Sequence, residues 1–242
     1  MQRPAIRLLL SALFTFTLIS AAITKDMSED FEGGFDAWEI YDEPGANSGP
    51  SAWDTKQPAL DNDGDAFSPL SNIYGGDADA HEPSRGTWAI YANETWSDAI
   101  FEVDMMMTDN DVPGLIFRYV DPENFYVFDL MEQGRAIPPF KRLRKVVGGT
   151  YTELDIEHDG GYVEQVWYRA RLEFSGPNIS VFWDDEEVLR ATDDESALRE
   201  GSVALSSWGM TDIWFDNVRV TGTAAVEPAG KAAVTWATIK GG

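Results

Sequence analysis

Short segments in which apolar and polar residues alternate recur along this chain, and they limit its fold more than any other feature of the sequence. The clearest are residues 101–105, 115–119 and 170–174. Because successive side chains of a β-strand point to opposite faces, each segment can bury one face and expose the other. Turn-forming residues such as Gly148-Gly149 separate the segments. This pattern predicts an all-β protein, either a sandwich or a barrel.

The first 22 residues have the layout of a signal peptide. Arg3 and Arg7 precede an apolar stretch at residues 8–19, and the small residues Ser20 to Ala22 follow it. The apolar stretch is about a dozen residues long, whereas a membrane-spanning helix needs roughly 20. We therefore expect a secreted protein, extracellular or periplasmic, with cleavage near Ala22 and no membrane span in the mature chain. An uncleaved N-terminal anchor is the alternative.

The mature chain is expected to form one domain at residues 23–220. Roughly 220 residues remain after removal of the signal peptide, and such a chain can bury a sizeable core. Residues 42–80 are rich in Gly, Pro, Asn, Asp and Ser and are expected to form long loops. Residues 221–242 are expected to be a linker and a short tail. The β-like segment 231–240 lies outside the core in one interpretation and forms an edge strand in the other.

The composition excludes several classes of function. The chain has 42 acidic and 18 basic side chains, a formal charge of −24, so its surface would repel the phosphate backbone of a nucleic acid. It contains no cysteine, which excludes disulfides, thiol nucleophiles and cysteine-ligated zinc. An acidic surplus is typical of a solvated surface and can also supply oxygen ligands for Ca²⁺.

Several motifs occur in a fixed order between residues 30 and 220. They are Phe31-Glu32-Gly33, 38–43, 49–53, 71–76, 114–119 with 121–126, Trp167-Tyr168-Arg169 and 215–218. In that order they resemble bacterial concanavalin A-like/laminin-G-like jelly-roll domains, which are related to the thrombospondin C-terminal lectin-like domain and to the 3-keto-disaccharide hydrolase-like domain. The resemblance implies a two-sheet antiparallel jelly-roll sandwich. It leaves the activity open, because such folds carry both binding modules and hydrolases.

One acidic motif is a candidate catalytic centre. Glu153, Asp155 and Glu157 match the Glu-x-Asp-x-Glu core of family 16 glycoside hydrolases, and alternate residues of a strand share one face. A retaining glycosidase needs two carboxyl groups about 5 Å apart, so Glu153 would be the nucleophile and Glu157 the acid/base. The Trp- and Gly-containing context of those enzymes is missing here. The alternative is an edge strand with an acidic exposed face and with Leu154 and Ile156 packed inward.

Two groups of residues are candidates for binding Ca²⁺. The loop at residues 61–65, Asp-Asn-Asp-Gly-Asp, has carboxylates at alternate positions but does not match an EF-hand. The jelly-roll resemblance implies a structural calcium site between the first and last strands, with Glu32 and Asp216 as ligands. A solvated acidic loop and a β-bulge at Asp216-Asn217 are the respective alternatives.

A cationic and aromatic group of side chains is the candidate ligand surface. It comprises Arg118, Tyr126, Arg142, Lys145 and Trp208, with Arg144 close by in sequence. Alternation places Arg118 opposite Phe117 and Tyr126 opposite Phe125. Sugars stack on aromatic rings, and guanidinium groups bind hydroxyls or carboxylates in a fork. Salt-bridged arginines and a tryptophan that caps the core are the alternative.

Three functions remain open on the sequence. The first is a secreted non-catalytic binding module for carbohydrate or another extracellular ligand, stabilised by calcium. The second is a glycoside hydrolase, acting through Glu153 and Glu157 or through a 3-keto-disaccharide hydrolase-like site around Arg118. The third is a structural or adhesion component of the cell exterior, attached through the tail.

Overall fold

The computed structural model describes residues 23–60, 64–77, 82–83, 86–132, 138–158, 160–195 and 198–224. The expected signal peptide, residues 61–63 of the candidate calcium loop and the tail segment 231–240 lie outside these ranges. Across the ranges described there is no helix long and apolar enough to cross a membrane.

The described chain is built of short β-strands. In chain order they are β1 (Ile23–Glu29), β2 (Trp38–Asp42), β3 (Trp53–Lys56), β4 (Ala66–Pro69), β5 (Gly76–Asp77), β6 (Glu82–Pro83), β7 (Thr87–Tyr91), β8 (Asp98–Met106), β9 (Val112–Asp121), β10 (Asn124–Met131), β11 (Phe140–Val147), β12 (Thr150–Glu157), β13 (Trp167–Ser175), β14 (Asn178–Trp183), β15 (Glu186–Thr192), β16 (Ser202–Trp208) and β17 (Trp214–Ala224).

The strands form two large antiparallel sheets. Sheet 1 has the order β15-β14-β13-β8-β17-β4-β3, with β1 also paired to β17. Sheet 2 has the order β12-β11-β10-β9-β16-β7-β2, and β5 and β6 form a separate pair. Two of the hydrogen-bonded neighbour pairs, β13 with β8 and β9 with β16, join strands that are distant in sequence. This arrangement confirms the predicted all-β, two-sheet antiparallel sandwich.

The main hydrophobic core lies between the two sheets. Phe101 and Leu172 of sheet 1 and Leu115 and Phe128 of sheet 2 are completely buried in it. The residues that alternate with Phe101 and Leu172 lie on the other side of sheet 1, where Glu102 is partly exposed. The alternation predicted for residues 101–105 and 170–174 is therefore present in the folded chain.

The first and last strands lie side by side, as the jelly-roll resemblance implies. They pair from Ile23 opposite Ala224 to Glu29 opposite Val218. Residues 221–224 therefore belong to the sheet rather than to a linker, and the last strand ends four residues beyond the expected boundary at residue 220. The pairing with β1 explains the extension, because it satisfies backbone groups that a linker would leave to water.

Extra residues break the regular alternation in several of the described strands. One is Val188 of β15, and three others lie near candidate site residues. The register shifts place these β-bulges at residues 117–118 of β9, at residue 154 of β12 and at residues 217–218 of β17. In a bulge two residues of one strand oppose one residue of its neighbour, so the side chains beyond it change faces. Each of these three bulges lies within or beside a group of candidate site residues.

Candidate functional site

The bulge in β9 turns Arg118 into the interior of the sandwich. Its backbone has φ 46°, and its guanidinium lies 5.2 Å from the ring centre of Phe174 in sheet 1. Nε and Nη2 donate to the carbonyl oxygen of Ser97, and Nη2 also donates to that of Gly176. The residue is only 1% exposed. The expected position of Arg118, on a ligand face opposite Phe117, is therefore corrected to the core side of sheet 2.

Tyr126 and Lys145 also point between the sheets. The Tyr126 hydroxyl donates to Asp193 Oδ2 at 2.6 Å, and Lys145 Nζ donates to Asp193 Oδ1 at 2.8 Å. Burial alone would raise the pKa of Asp193, but the bonds from Lys145 and Tyr126 outweigh it and lower that pKa. With Arg118, whose guanidinium lies over the Tyr126 ring, these residues form a buried polar cluster. Tyr126 and Lys145 thus also lie away from an exposed ligand surface.

The side of sheet 2 that faces away from the core, called here the outer face, carries a buried ion triad. Arg142 Nε donates to Asp129 Oδ1 at 3.1 Å and Arg142 Nη2 donates to Asp129 Oδ2 at 2.9 Å. Arg144 Nη2 donates to Asp129 Oδ2 as well. Alternation along β10 and β11 places the triad opposite the core residues Phe128 and Leu143. The three side chains are at most 6% exposed.

The electrostatics of the triad depend on all three members. Burial alone would raise the pKa of Asp129, but the charges of Arg144 and Arg142 and their hydrogen bonds outweigh it and hold that pKa below its usual value. The carboxylate is therefore ionised at neutral pH and is shared by two cations. Deleting one partner of a buried ion pair leaves the other charge buried and uncompensated, which lowers the free energy of unfolding by about 3–5 kcal/mol.

An aromatic group, called here the tyrosine cluster, lies at one end of the outer face. The Trp88 ring centre lies 5.2 Å from that of Tyr41, 6.1 Å from that of Tyr119 and 5.0 Å from that of Phe125. The Phe125 ring lies 6.2 Å from that of Tyr151. Trp88 and Phe125 are buried, whereas the three tyrosines are partly exposed. The phenol groups therefore form the accessible part of the cluster.

Aromatic rings also contact both arginines of the triad. The Arg144 guanidinium lies 4.6 Å from the ring centre of Tyr151, and the Arg142 guanidinium lies 4.4 Å from that of Phe140. Phe140 belongs to a small apolar group at the opposite end of the face, against which the half-buried Trp208 packs. Of the five expected ligand residues, Arg142 and Trp208 thus lie on the outer face.

A glycine and a serine form the floor beside the triad. Gly114 of β9 lies opposite Asp129 on one side and opposite Ser206 of β16 on the other. A Cβ atom on Gly114 would come within 2.6 Å of Ser206 Oγ. The missing side chain therefore makes room for the Ser206 hydroxyl, which is partly exposed on the outer face.

The Glu-x-Asp-x-Glu motif is divided between two faces. Leu154 is the extra residue of the β12 bulge, so Glu153 lies opposite Arg144 on the outer face and Asp155 lies opposite Leu143 on the core side. Asp155 Oδ2 accepts the backbone N–H of Arg190, at the edge of sheet 1. Glu157 pairs with Lys141 beyond the bulge. The expected alignment of three carboxylates is corrected accordingly, because it required an unbroken strand.

The two expected calcium ligands are engaged in different contacts. Glu32 Oε1 accepts the backbone N–H of Asp65 at 2.7 Å, which places Glu32 beside the candidate calcium loop. Asp216 is buried in the β17 bulge, where its Oδ1 accepts the N–H of Asn217 at 2.6 Å. Among the residues that the structure describes, no group of three or more His, Asp or Glu residues is arranged to hold a metal ion. A calcium site with Glu32 and Asp216 as ligands therefore stays a prediction.

Sequence reasoning missed several residues of the outer face. Asp129 is the most informative, because it is a single carboxylate in the otherwise apolar strand 125–131. Such a residue is expected to pair with a cation when it is buried. Arg142 and Arg144 are two residues apart and so share one face of the next strand. These two cations were the signal that could have identified Asp129 as their partner.

The two antiparallel sheets and the polar outer face define a β-sandwich of the lectin-like jelly-roll class. The chain belongs to the 3-keto-alpha-glucoside-1,2-lyase-like domain family, whose model matches residues 26–221. No curated protein is a significant match to the sequence.

Solved structures with the same fold have low sequence identity to this chain. Carbohydrate-binding module CBM66 from Bacillus subtilis is 20% identical, with a TM-score of 0.51 over 72% of this chain and 94% of that one. A Bacillus subtilis protein of unknown function with a galectin-like fold is 12% identical, with a TM-score of 0.57 over 84% and 100%. A glycosidic hydrolase is 15% identical, with a TM-score of 0.53 over 86% and 100%. These similarities support the jelly-roll fold.

Proposed function

We propose that this protein is a secreted carbohydrate-binding module whose ligand site is the outer face of sheet 2. The observation that carries the proposal is the ion triad with its aromatic surroundings on the side of the sheet that does not close the core. Carbohydrate ligands bind through aromatic stacking and charge-assisted hydrogen bonds. The family name refers to α-glucosides, and one protein of the same fold is a carbohydrate-binding module.

The residues of this face divide into contact residues and positioning residues. Glu153 is exposed and Ser206 is partly exposed, so their polar atoms can reach sugar hydroxyls. Trp208 donates its Nε1–H to the carbonyl oxygen of Gly75, so it would contribute the face of its half-buried ring. Arg142 and Arg144 are buried and act through their neighbours. The charge of Arg142 acts on Glu153, and the Arg144 guanidinium stacks on the Tyr151 ring.

A glycan-array screen tests this proposal, with Glu153→Gln as the variant and Glu186→Gln as its control. Glu186 is an exposed carboxylate on β15 of sheet 1, away from the proposed face. We expect the wild type and the control to bind the same glycans, and Glu153→Gln to bind them about fivefold or more weakly, as for loss of one charged hydrogen bond. Absence of glycan binding, or equal binding by both variants, would contradict the proposal.

Membership of the lyase-like family favours a second candidate function, cleavage of 3-keto-α-glucosides. In such a sugar the C3 ketone acidifies the C2 proton. A base removes that proton, and the electron pair forms the C1=C2 double bond as the C1–O bond breaks. The leaving group takes the C1–O electron pair and a proton. Glu153 is an exposed carboxylate on the outer face and is the candidate base.

Incubation with a 3-keto-α-glucoside distinguishes the two functions. A lyase would produce a conjugated enone, detected by its ultraviolet absorbance, and Glu153→Gln would abolish the signal. Glycan binding without an enone signal would favour the non-catalytic module.

Secretion and calcium binding are separate parts of the proposal. Secretion rests on the basic and apolar N-terminal sequence, and N-terminal sequencing of the exported protein should find a start near Ile23. Calcium binding rests on the acidic sequence of residues 61–65 and on the contact of Glu32 with Asp65, the last residue of that segment. The wild type should then melt at a higher temperature in Ca²⁺ than in EDTA, and Glu32→Gln should reduce that difference.

A further inference from the structure

We propose that the tyrosine cluster is a second sugar subsite, so that the ligand is an oligosaccharide of at least two rings. This inference rests on the proposed carbohydrate-binding function. Its basis is the presence of two distinct polar and aromatic zones on the same outer face. The triad with Glu153 is one zone, and the phenol groups of Tyr41, Tyr119 and Tyr151 are the other.

The separation of the two zones sets the length of the ligand. Phe125, in the tyrosine cluster, and Asp129, in the triad, lie four residues apart on β10 and point to the same side. With a rise of about 3.3 Å per residue, they are about 13 Å apart along the strand. A single pyranose ring is shorter than this distance. A monosaccharide at the triad therefore leaves the tyrosine cluster unfilled, whereas a second ring can reach it.

The zones form one continuous surface because Tyr151 belongs to both. Its ring contacts the Arg144 guanidinium of the triad on one side and Phe125 of the cluster on the other. Tyr119 reaches the same face because the β9 bulge places it on the side of Ile116 rather than of Phe117. A regular strand would have turned the Tyr119 ring into the core.

The phenol groups have the chemistry of a sugar subsite. Burial is the largest of the causes that raise the pKa of Tyr119 to about 12, and the nearby Tyr41 and Asp121 also contribute. Burial and the charge of Glu43 also raise the pKa of Tyr41. Both phenols therefore stay protonated at neutral pH and can donate hydrogen bonds to sugar oxygens. The acidic residues around them disfavour a carboxylated ring, so the second ring is expected to be neutral.

Calorimetric titration with two series of neutral sugars tests the inference. The α series is methyl α-glucoside, maltose and maltotriose, and the β series is methyl β-glucoside, cellobiose and cellotriose. The variants Tyr41→Phe and Tyr119→Phe remove one hydroxyl each and keep the ring. Tyr168→Phe is the control, because it removes a phenol hydroxyl from sheet 1. Melting temperatures establish that every variant is folded.

In one of the series the wild type should bind the disaccharide about tenfold more tightly than the methyl glucoside. Tyr41→Phe and Tyr119→Phe should each reduce disaccharide affinity about fivefold and leave methyl glucoside affinity unchanged, while Tyr168→Phe changes neither. Equal wild-type affinity for one ring and two, or equal losses for both ligands in the variants, would overturn the second subsite but not the binding function. If none of the six sugars binds, the proposal that the protein binds glucosides is contradicted as well.

Discussion

The carboxyl group of Asp111 should make the protein less stable as the pH rises through about 6. Asp111 lies in the turn between β8 and β9, packed against Gly209, whose φ of 75° and missing Cβ leave room for it. Burial and then the charge of Asp109 raise the pKa of Asp111 to about 6. The folded state therefore holds this proton more tightly than the unfolded chain. Below the unfolded pKa near 4, ionisation of Asp111 does not lower the stability of the fold. The loss of stability grows between pH 4 and pH 6 and is complete above about pH 6.

The size of this effect follows from the shift. About two pKa units correspond to about 3 kcal/mol for a fully buried group. Asp111 is only partly buried, so solvent screening reduces the expected cost to about 1–2 kcal/mol. Asp111→Asn cannot ionise. It should raise the free energy of unfolding by that amount near pH 8, and by about 1 kcal/mol less near pH 5, where the wild-type carboxyl is already largely protonated.

Urea denaturation of both proteins near pH 5 and pH 8 measures the difference. Asp36→Asn is the control, because Asp36 is an exposed carboxylate in a turn, and its effect should not vary in this way between the two pH values. The same stabilisation by Asp111→Asn at both pH values would refute the reasoning. So would a carboxyl resonance of Asp111 that titrates near pH 4, the ordinary value for aspartate.

Three further predictions concern buried residues. Asp129→Asn leaves two guanidinium groups without their shared carboxylate and should lower the free energy of unfolding by about 3–5 kcal/mol, measured by urea denaturation. Arg118→Met should lower it by about 2–4 kcal/mol because the carbonyls of Ser97 and Gly176 lose their donors, while the glycan affinity of the folded fraction stays unchanged. Gly201→Ala places a Cβ 2.3 Å from the Arg118 carbonyl carbon and should lower the melting temperature by several degrees or more; an unchanged melting temperature would contradict the packing.

The fold was largely predictable because alternation is a local property. The segments 101–105 and 170–174 bury the faces that their alternation predicts, and the motif order correctly indicated a jelly roll with adjacent first and last strands. The candidate site was less predictable. Arg142 and Trp208 lie on the outer face, where Arg142 is buried in the ion triad, whereas Arg118, Tyr126 and Lys145 point into the sandwich. A ligand-binding role for these residues stays a prediction. The bulge in β9 explains Arg118, because one extra residue exchanges the faces of a strand. Tyr126 and Lys145 pair regularly, and their position shows that alternation alone does not determine which face of a strand meets the core.

The sequence by itself determined the strands, the turns between them and the absence of disulfide and thiol chemistry, because these depend on neighbouring residues and composition. Only the tertiary structure decided which carboxylates and cations meet. The bulge at Leu154 separates Glu153 from Asp155, and the hairpin of β10 and β11 brings Asp129 to Arg142. Strand register and bulges depend on pairing between strands distant in sequence. For that reason the outer face of sheet 2 could be recognised as a site only in the folded protein.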